Sequence, residues 1–169
     1  NGARSVVAVE ANGLVVEALR GDLRAWAGLA GDPRATLVHQ EPRAFARQSN
    51  DRFDIVQIAL ADAYRPVTSG AFTLTENYAL TVEAFSATLD LLEEDGLLLL
   101  TRWLQNPPSE EVRALGLILA ALDPLTDNPA QHIIAFRSFQ TMTFIVKRTP
   151  FTAEEIARVL AETERLKYD

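Results

Sequence analysis

Cysteine is absent from this sequence. The chain therefore forms no disulfide, holds no zinc through thiolates and has no thiol nucleophile. Apolar runs such as GLLLL are far shorter than the roughly 20 residues that a helix needs to cross a bilayer. The N-terminal residues also lack the basic and then apolar pattern of a signal peptide. Together these absences predict a cytoplasmic protein without contact to a membrane.

Positive charge is scarce as well, because 16 Lys and Arg residues stand against 23 Asp and Glu residues. The net charge is -7 and the pI is near 4.9. Binding to a nucleic-acid backbone needs clustered Lys and Arg. The composition thus argues against nucleic acid as a partner, and a small molecule is the expected one.

Histidine is scarce, with two residues in the chain. The two histidines, His39 and His132, have no cluster of other ligand-type residues beside them, so no metal site is predicted. The sequence contains neither the GxSxG pattern of a nucleophile elbow nor a Walker phosphate-binding loop.

The sequence does contain short apolar runs that alternate with longer segments of helical period. SVVAVE, ATLVHQ, RFDIVQIAL and GLLLLTRWL have the length and composition of buried strands. Strands that alternate with helices require right-handed crossovers and a parallel sheet. HIIAFRSF and TMTFIVKR have almost nothing between them, so they predict an antiparallel hairpin. The predicted fold is α/β and doubly wound, with these four strands in one mostly parallel sheet and the 133–147 hairpin at its edge.

The helical segments carry apolar residues in stripes. These stripes are Leu14, Leu19, Leu23, Trp26 and Leu29; Tyr78, Val82, Phe85, Leu89 and Leu92; Leu115, Ile118, Leu119 and Leu122; and Ile156, Val159, Leu160 and Thr163. The last two stripes are expected to face the core. Asn12, Ser109 and Thr152 are predicted to cap helices, and Gly96 is expected to end the helix that begins near Tyr78.

An acid ends the first apolar run, since SVVAVE closes on Glu10. In an open α/β sheet, ligands bind beyond the carboxyl ends of the strands, and a carboxylate there can accept both hydroxyl hydrogens of a ribose. Glu10 is therefore a candidate for binding a nucleotide-like ligand. The alternative is that Glu10 caps the next helix or stays solvated.

A second acid, Glu41, stands just past the second predicted strand in LVHQEPRAF. Its carboxylate could accept a hydrogen bond from an exocyclic amine such as adenine N6. The alternative is an acid at a helix start, which the helix macrodipole favours.

Two further segments come after strands on the side of the sheet where ligands bind. ADAYRPVTSGAFTLTEN is long for a connection within a compact domain, and such loops are usually functional or mobile. Arg102, Trp103 and Gln105 come after the fourth strand. Trp103 is a candidate wall for a pocket, and its alternative is a packing role.

The succession VVAVEAN, DPRATLVHQEPRAF, RFDIVQIALADAY, GAFTLTENY and LEEDGLLLLTRW resembles the Rossmann-like class I methyltransferases that use S-adenosylmethionine. Within them it is most similar to the spermidine synthase branch. The resemblance covers nearly the whole chain. It implies a Rossmann-like fold and transfer of a methyl or aminopropyl group to a small acceptor, with S-adenosylmethionine or its decarboxylated form as cofactor.

The resemblance also implies roles for individual residues. Glu10 corresponds to the acid that holds the ribose, and Glu41 in QEPR corresponds to the adenine-binding acid of the family's GDGR segment. FTLTENY corresponds to the family's FT.EFY segment, which starts the helix after the active-site loop. Asp62 and Tyr64 are candidates for contacting the acceptor, or they form a polar loop pair without a ligand.

The sequence departs from the family in two places. The family's DSSDP segment begins with an Asp that works on the attacking amine, and Ala59 stands at that position. The family's first strand, Gly-rich loop and first helix should precede SVVAVE, where only NGAR stands. A single domain over residues 1–169 without that first unit is expected. Without that first strand, the centre of the sheet is expected to have a gap, and shifted strands or a second copy can fill this exposed pairing edge, so a homodimer is one expectation.

Three functions remain open from the sequence. The first is an S-adenosylmethionine-type transferase with an unknown acceptor, inactive as this chain alone. The second is a non-catalytic relative that serves assembly or ligand sensing, which Ala59 favours. The third is a nicotinamide-dependent oxidoreductase, which would also place an acid at Glu10.

Overall fold

The structure is a computed structural model that describes residues 2–60 and 80–169 of the chain. These residues cluster into two compact units, Asn1–Ser49 and Asn50–Asp169. The expectation of a single domain over residues 1–169 stays a prediction. None of the helices in the described ranges combines the length and the apolar composition that a bilayer crossing requires.

The smaller unit is a two-stranded parallel sheet with short helices. Its elements are β1 (Val6–Glu10), α1 (Gly13–Arg20), α2 (Arg24–Ala27), a 3-10 turn (Leu29–Gly31), β2 (Ala35–His39) and α3 (Pro42–Gln48). β1 and β2 pair in register from Val6 with Ala35 to Glu10 with His39. Asn12 caps α1 as predicted, because its Oδ1 accepts from the Leu14 N–H at 3.0 Å.

The larger unit contains a four-stranded sheet in the order β3-β4-β6-β5. Its elements are β3 (Phe53–Ile58), α4 (Val82–Asp90), β4 (Leu92–Trp103), α5 (Glu110–Leu122), a 3-10 turn (Pro129–His132), β5 (Ile133–Arg137), β6 (Thr141–Lys147) and α6 (Ala153–Leu166). β3 and β4 are parallel, whereas β6 is antiparallel to both β4 and β5. The predicted hairpin is confirmed, with β5 at the edge of the sheet.

The strand pairing confirms the α/β class and corrects one detail of the arrangement. We expected the strands near Val6, Thr36, Ile55 and Leu98 to belong to one mostly parallel sheet with a gap at its centre. Within residues 2–60 and 80–169 they form two sheets, β1-β2 and β3-β4-β6-β5. Strands share a sheet only where their backbones hydrogen-bond in a ladder, and in the described residues the parallel ladders join β1 to β2 and β3 to β4.

The core of the larger unit lies between one face of its sheet and the helices α4 and α5. Alternate residues of β4, Leu98 and Leu100, are fully buried on that face. Val146 and Phe144 pair with them across the antiparallel ladder and therefore share the face. The helices contribute Phe85, Leu89, Ile118 and Leu122 to the same cluster. Burial of each such side chain contributes about 1.5–3 kcal/mol.

The predicted inward stripes of two helices are only partly buried. In α5, Ile118 and Leu122 are buried, but Leu115 and Leu119 are exposed, contrary to the prediction. The reason is geometric, because each lies one residue after a buried position, which turns its side chain by about 100° around the helix. In α6, Thr163 is buried, whereas Ile156 and Leu160 are exposed.

The stripe predicted from Leu14 to Leu29 is also interrupted, because α1 ends at Arg20 and α2 begins only at Arg24. Gly21 comes directly after α1 and donates its N–H to the Glu17 carbonyl. With two short helices in place of one, a common buried face is lost. Leu14 and Trp26 are consequently both exposed.

The boundary between α4 and β4 differs from the expected one. Tyr78 lies outside the described residues. α4 ends at Asp90, Leu92 already begins β4, and Gly96 lies inside that strand instead of ending a helix. A Cβ on Gly96 would lie 2.8 Å from the Phe53 carbonyl oxygen. The glycine is therefore required by a close approach of two strands.

α6 is attached to the hairpin at both of its ends. At its start the Lys147 ammonium, which is buried, contacts Glu155 Oε1 at 2.8 Å and Asp95 Oδ1 at 2.9 Å. Past its end, the Tyr168 ring stacks on Phe136 with the ring centroids 5.6 Å apart. Asp169 and Arg137 exchange both backbone N–H···O bonds. Ion pairs and an aromatic stack thus hold the helix where its apolar residues do not.

Glu155→Gln is expected to destabilise the protein at neutral pH, because it removes a charged partner of the buried Lys147 ammonium. The hydrogen bond from Lys147 lowers the pKa of Glu155 from 4.5 to about 2. A lowered folded-state pKa stabilises the fold above the unfolded pKa, and this contribution is lost as the pH falls through the folded pKa. The stability difference between wild type and variant should therefore shrink from pH 4.5 towards pH 2. Urea denaturation across this window measures it.

The pKa of Lys147 is raised, mainly by the hydrogen bond to Glu155, so the contribution of Lys147 to stability depends on pH in the opposite sense. Its contribution is complete below pH 10.5 and is lost only as the pH rises through the folded-state pKa. Glu162→Gln is the matched control, since Glu162 pairs with the exposed Arg165 on the same helix. Equal stability of Glu155→Gln and wild type at neutral pH would contradict the assignment.

Candidate functional site

The carboxyl ends of β1 and β2 lie side by side and bring together three of the singled-out residues. Glu10 and His39 are direct partners in the parallel pair. The Gln40 N–H donates to the Glu10 carbonyl at 3.1 Å, so the pairing continues one residue beyond the strands. Glu41 comes immediately afterwards and begins α3. Ligands of open α/β sheets bind at this end of the strands.

The Glu10 carboxylate is oriented by the turn after β1. Its Oε1 accepts a hydrogen bond from the Asn12 N–H at 2.6 Å. Asn12 in turn caps α1, so the chain folds back over the end of the strand in two successive side-chain-to-backbone bonds. Oε2 accepts no hydrogen bond from any residue that the structure describes. The half-buried carboxylate therefore retains acceptor capacity at the strand end.

Glu41 is the acid at the start of α3, which is the alternative that the sequence analysis gave for this residue. Its two oxygens accept from the N–H groups of Arg43 at 3.1 Å and Ala44 at 2.8 Å. Both bonds satisfy donors at the start of α3, which has Pro42 in its first turn. Each oxygen has a second lone pair, so the cap does not by itself preclude a bond to a ligand amine. The adenine contact stays a prediction.

His39 lies against the first residue of α1, a contact that the sequence analysis missed. A Cβ on Gly13 would lie 3.1 Å from the imidazole Cε1, so a residue with a side chain would displace the ring. Gly13 and His39 line an open depression of about 550 Å³ together with Val16, Glu17, Arg20 and Gly21. The depression does not include Glu10 or Glu41. The only available signal was the Asn-Gly pair shortly after Glu10.

The acceptor side of the predicted site is described only in part. Asp62 and Tyr64 lie outside the described residues, as does FTLTENY. Ala59, directly after β3, is exposed. The structure thus places Ala59, which replaces the first Asp of DSSDP, directly after β3. Asp62 and Tyr64 stay predictions.

Arg102 and Trp103 were expected after the fourth strand but are the last two residues of β4, because the ladder with β6 continues to Trp103; Gln105 does come after the strand. Arg102 and Gln105 are buried, and Trp103 is half-buried. Ser109 was predicted to cap α5, but its hydroxyl bonds Gln105 Oε1 instead. The Ser109 N–H reaches Glu111 Oε2, which lies in the first turn of α5 and is also buried. The Ser109 hydroxyl thus ties α5 to the segment after β4.

Neither histidine takes part in a group of metal-ligating residues within the described ranges. His132 is buried, with Nδ1 at 3.1 Å from the Lys147 carbonyl oxygen. It therefore supports the strand that carries the Lys147 ion pairs.

Solved structures with the same fold put this arrangement in context. Spermidine synthase from Thermotoga maritima matches with a TM-score of 0.59 and 18% identity over 90% of this chain. The chain has the Rossmann-like fold of spermidine synthases and class I methyltransferases. Human methyltransferase-like protein 13 in complex with SAH matches with a TM-score of 0.61 and 11% identity, over 95% of this chain and 70% of that one. The resemblance predicted from the sequence is confirmed at the level of the fold.

The methyltransferase-type fold is present here over a shorter length than in the synthases. The chain covers 48% of the Thermotoga enzyme and 47% of a spermidine synthase solved with the transition-state analogue AdoDATO, which it matches with a TM-score of 0.56 and 17% identity over 90% of its own length. No protein-family model and no curated protein matches the sequence. At such identities the likeness shows the fold alone.

Glu41→Ala is expected to lower the unfolding free energy by about 1 kcal/mol, because it leaves the Arg43 and Ala44 N–H groups without their cap. Glu41→Asp should recover most of this loss, since Asp is a preferred helix cap. Urea denaturation of the three proteins measures the effect. Unchanged stability of Glu41→Ala would show that the cap does not contribute.

Proposed function

We propose that this chain carries the nucleoside-binding residues of an S-adenosylmethionine-type transferase that acts on a small acceptor. One observation carries the proposal. The Glu10 carboxylate stands at the carboxyl end of β1, next to the end of β2, and is oriented by the Asn12 N–H. The fold shared with spermidine synthases and methyltransferases supports this class of cofactor.

The residues at the strand ends fit a nucleoside in part. A ribose presents two neighbouring hydroxyl donors, and Glu10 offers Oε2 together with the second lone pair of Oε1. An adenine N6 amine would need an acceptor near the end of β2, where Glu41 already bonds two backbone donors. Glu10 therefore fits better than Glu41 does. Hydrogen bonds to a charged group contribute about 1.5–3 kcal/mol each.

The cofactor, when bound, supplies an electrophilic methyl or aminopropyl carbon. What remains for the protein is chiefly to place the acceptor atom in line with that carbon and to hold it there. Asp62 and Tyr64 are the residues that we propose for contacting the acceptor. The group transferred determines whether the cofactor is S-adenosylmethionine or its decarboxylated form, and SAH in a methyltransferase and AdoDATO in a spermidine synthase support the class as a whole.

A non-catalytic role is the second candidate, and Ala59 favours it. An amine nucleophile is largely protonated at neutral pH, so its attack needs a carboxylate to hold the cation and to help remove a proton. The methyl side chain of Ala59 can do neither. A chain that binds a nucleoside at Glu10 without this acid could serve in ligand sensing.

Titration of this chain with S-adenosylmethionine or with its thioether analogue should show millimolar or weaker binding. Weak binding is expected because Glu10 keeps acceptor capacity for the ligand, whereas both Glu41 oxygens already bond the start of α3. The amide resonance of Asn12 should shift in two-dimensional NMR spectra, since its N–H bonds the carboxylate that would receive the ribose. Glu10→Gln should abolish this shift.

Glu17→Gln is the matched control, because Glu17 is an exposed acid on α1 of the same unit and is outside the predicted contact. The Asn12 shift should persist in this variant. A spectrum without ligand-induced shifts at Asn12, or with shifts that survive Glu10→Gln, would contradict the proposed site. Micromolar affinity would contradict the expectation of weak binding.

The protein is not expected to make spermidine from putrescine and decarboxylated S-adenosylmethionine, even when tested at its full natural length. The reason is the alanine at position 59, where the aminopropyltransferases have their amine-binding acid. Incubation with both substrates and chromatographic detection of spermidine is the measurement. Robust turnover that Asp62→Asn abolishes would show that Asp62 has taken over the role.

A further inference from the structure

The outer face of α5 is apolar and exposed. Val112 is 57% exposed, Leu115 36% and Leu119 38%, on a side of the helix that is turned away from the buried Ala114, Ile118 and Ala121. These positions are spaced three and four residues apart, so they form one stripe. No residue from Ala114 to Leu122 carries a charge.

The outward residues of α6, in the same unit, show the contrast. Exposed charged side chains occur along its whole length, at Glu154, Arg158, Glu162, Glu164 and Arg165. A solvated helix normally carries such residues on its outer face. The outer face of α5 therefore resembles a contact surface more than a solvated one.

Gly116 lies beside this stripe, and nothing in the described part of the chain requires a glycine at this position. Gly116 costs the helix about 0.5–1 kcal/mol relative to alanine. A Cβ built on it would meet no atom within 4 Å, so packing within the chain does not demand a glycine. Small residues at a helix surface allow another backbone or a large side chain to approach closely.

Two charged residues, one near each end of α5, are a third indication of a partner at this helix. Arg113 lies in the first half of α5 and Asp123 caps its C-terminus, and both are exposed. Each has the sign that the helix macrodipole disfavours at its position. They lie about 15 Å apart along the helix, too far to pair with each other. Neither forms an ion pair with another residue in the part of the chain that the structure describes.

We propose that this face binds a second copy of the chain through a two-fold, antiparallel contact between two α5 helices. An antiparallel pair centred near position 118 places Arg113 of each copy opposite Asp123 of the other. The same register places the Leu119 side chain of one copy close to Gly116 of the other. The stripe is thus complementary to itself, as a two-fold contact requires. A sheet edge, the route to a dimer that the sequence suggested, is a different surface.

The dimer should be weak. A 13-residue helix is about 20 Å long, and one helix pair buries less than the ~1,200 Å² of the smaller stable interfaces. Two copies with a net charge of -7 also repel each other. Measurement near physiological salt, where the Debye length is about 8 Å, limits this repulsion.

Sedimentation velocity over a range of protein concentrations is the first test. The wild-type chain should show a monomer–dimer equilibrium, and Leu119→Glu should raise the dissociation constant at least about tenfold, because it buries a charge in the contact. Phe139→Glu is the control for removal of an exposed apolar side chain, since Phe139 lies in the hairpin turn and is 94% exposed. It should leave the dissociation constant unchanged.

Charge reversal tests the orientation. Arg113→Glu places two acids opposite each other and Asp123→Arg places two cations opposite each other, so each single variant should dissociate. The double variant restores opposite charges and should recover dimerisation to near the wild-type level. Both substitutions replace a charge that the macrodipole disfavours by one that it favours, so loss of folding is not expected to explain a monomeric single variant.

A wild-type chain that stays monomeric at the highest concentration would overturn the proposal, and so would a dimer that Leu119→Glu leaves intact. A double variant that fails to recover would overturn the antiparallel register. Association with a different protein at this face, without self-association, would also exclude the second copy as the occupant.

Discussion

Pairing of β4 along both of its edges is the constraint on which the larger unit depends. β4 is parallel to β3 on one side and antiparallel to β6 on the other. The side-chain period of a strand is two, so a slip of one residue would turn Leu98 and Leu100 away from α4 and α5. Gly96 helps to set this register, because only a residue without a Cβ fits against the Phe53 carbonyl. The positions of the core and of the residues at the end of β4 depend on that one alignment.

Much of the fold could be predicted because its signals are local. The β-branched runs mark the strands, the short turn marks the hairpin, and Thr152 with Glu155 marks the start of α6 as a capping box. Which side of α5 is buried could not be predicted in the same way. Leu115, Ile118, Leu119 and Leu122 spread over a wide arc of the helix, and only contact with β4 and α4 decides which of them are buried. The separation into two sheets likewise depends on pairing partners, which no single segment encodes.

For the two acids at the strand ends, the positions could be predicted but the hydrogen bonds could not. The alternation of strands and helices determines their positions, and the structure places both where the sequence predicted. Their hydrogen bonds differ because the next residues differ. Glu10 is followed by Ala11 and Asn12, and one of its oxygens bonds the turn, whereas Glu41 is followed by Pro42 and both of its oxygens bond the start of α3. One acid therefore keeps more of its acceptor capacity than the other, a distinction that depends on backbone geometry.

Because α6 is attached at both ends, its length has to match the distance between the two attachment points on the hairpin. The helix has 14 residues and measures about 21 Å, close to the roughly 24 Å of the seven-residue strand β6. It begins near Lys147 at one end of the hairpin and leads to Phe136 and Arg137 near the other. One inserted residue would advance the chain by about 1.5 Å and rotate all later residues by about 100° around the helix axis. Tyr168 and Asp169 would then no longer contact Phe136 and Arg137. The helix should therefore tolerate substitutions far better than insertions or deletions.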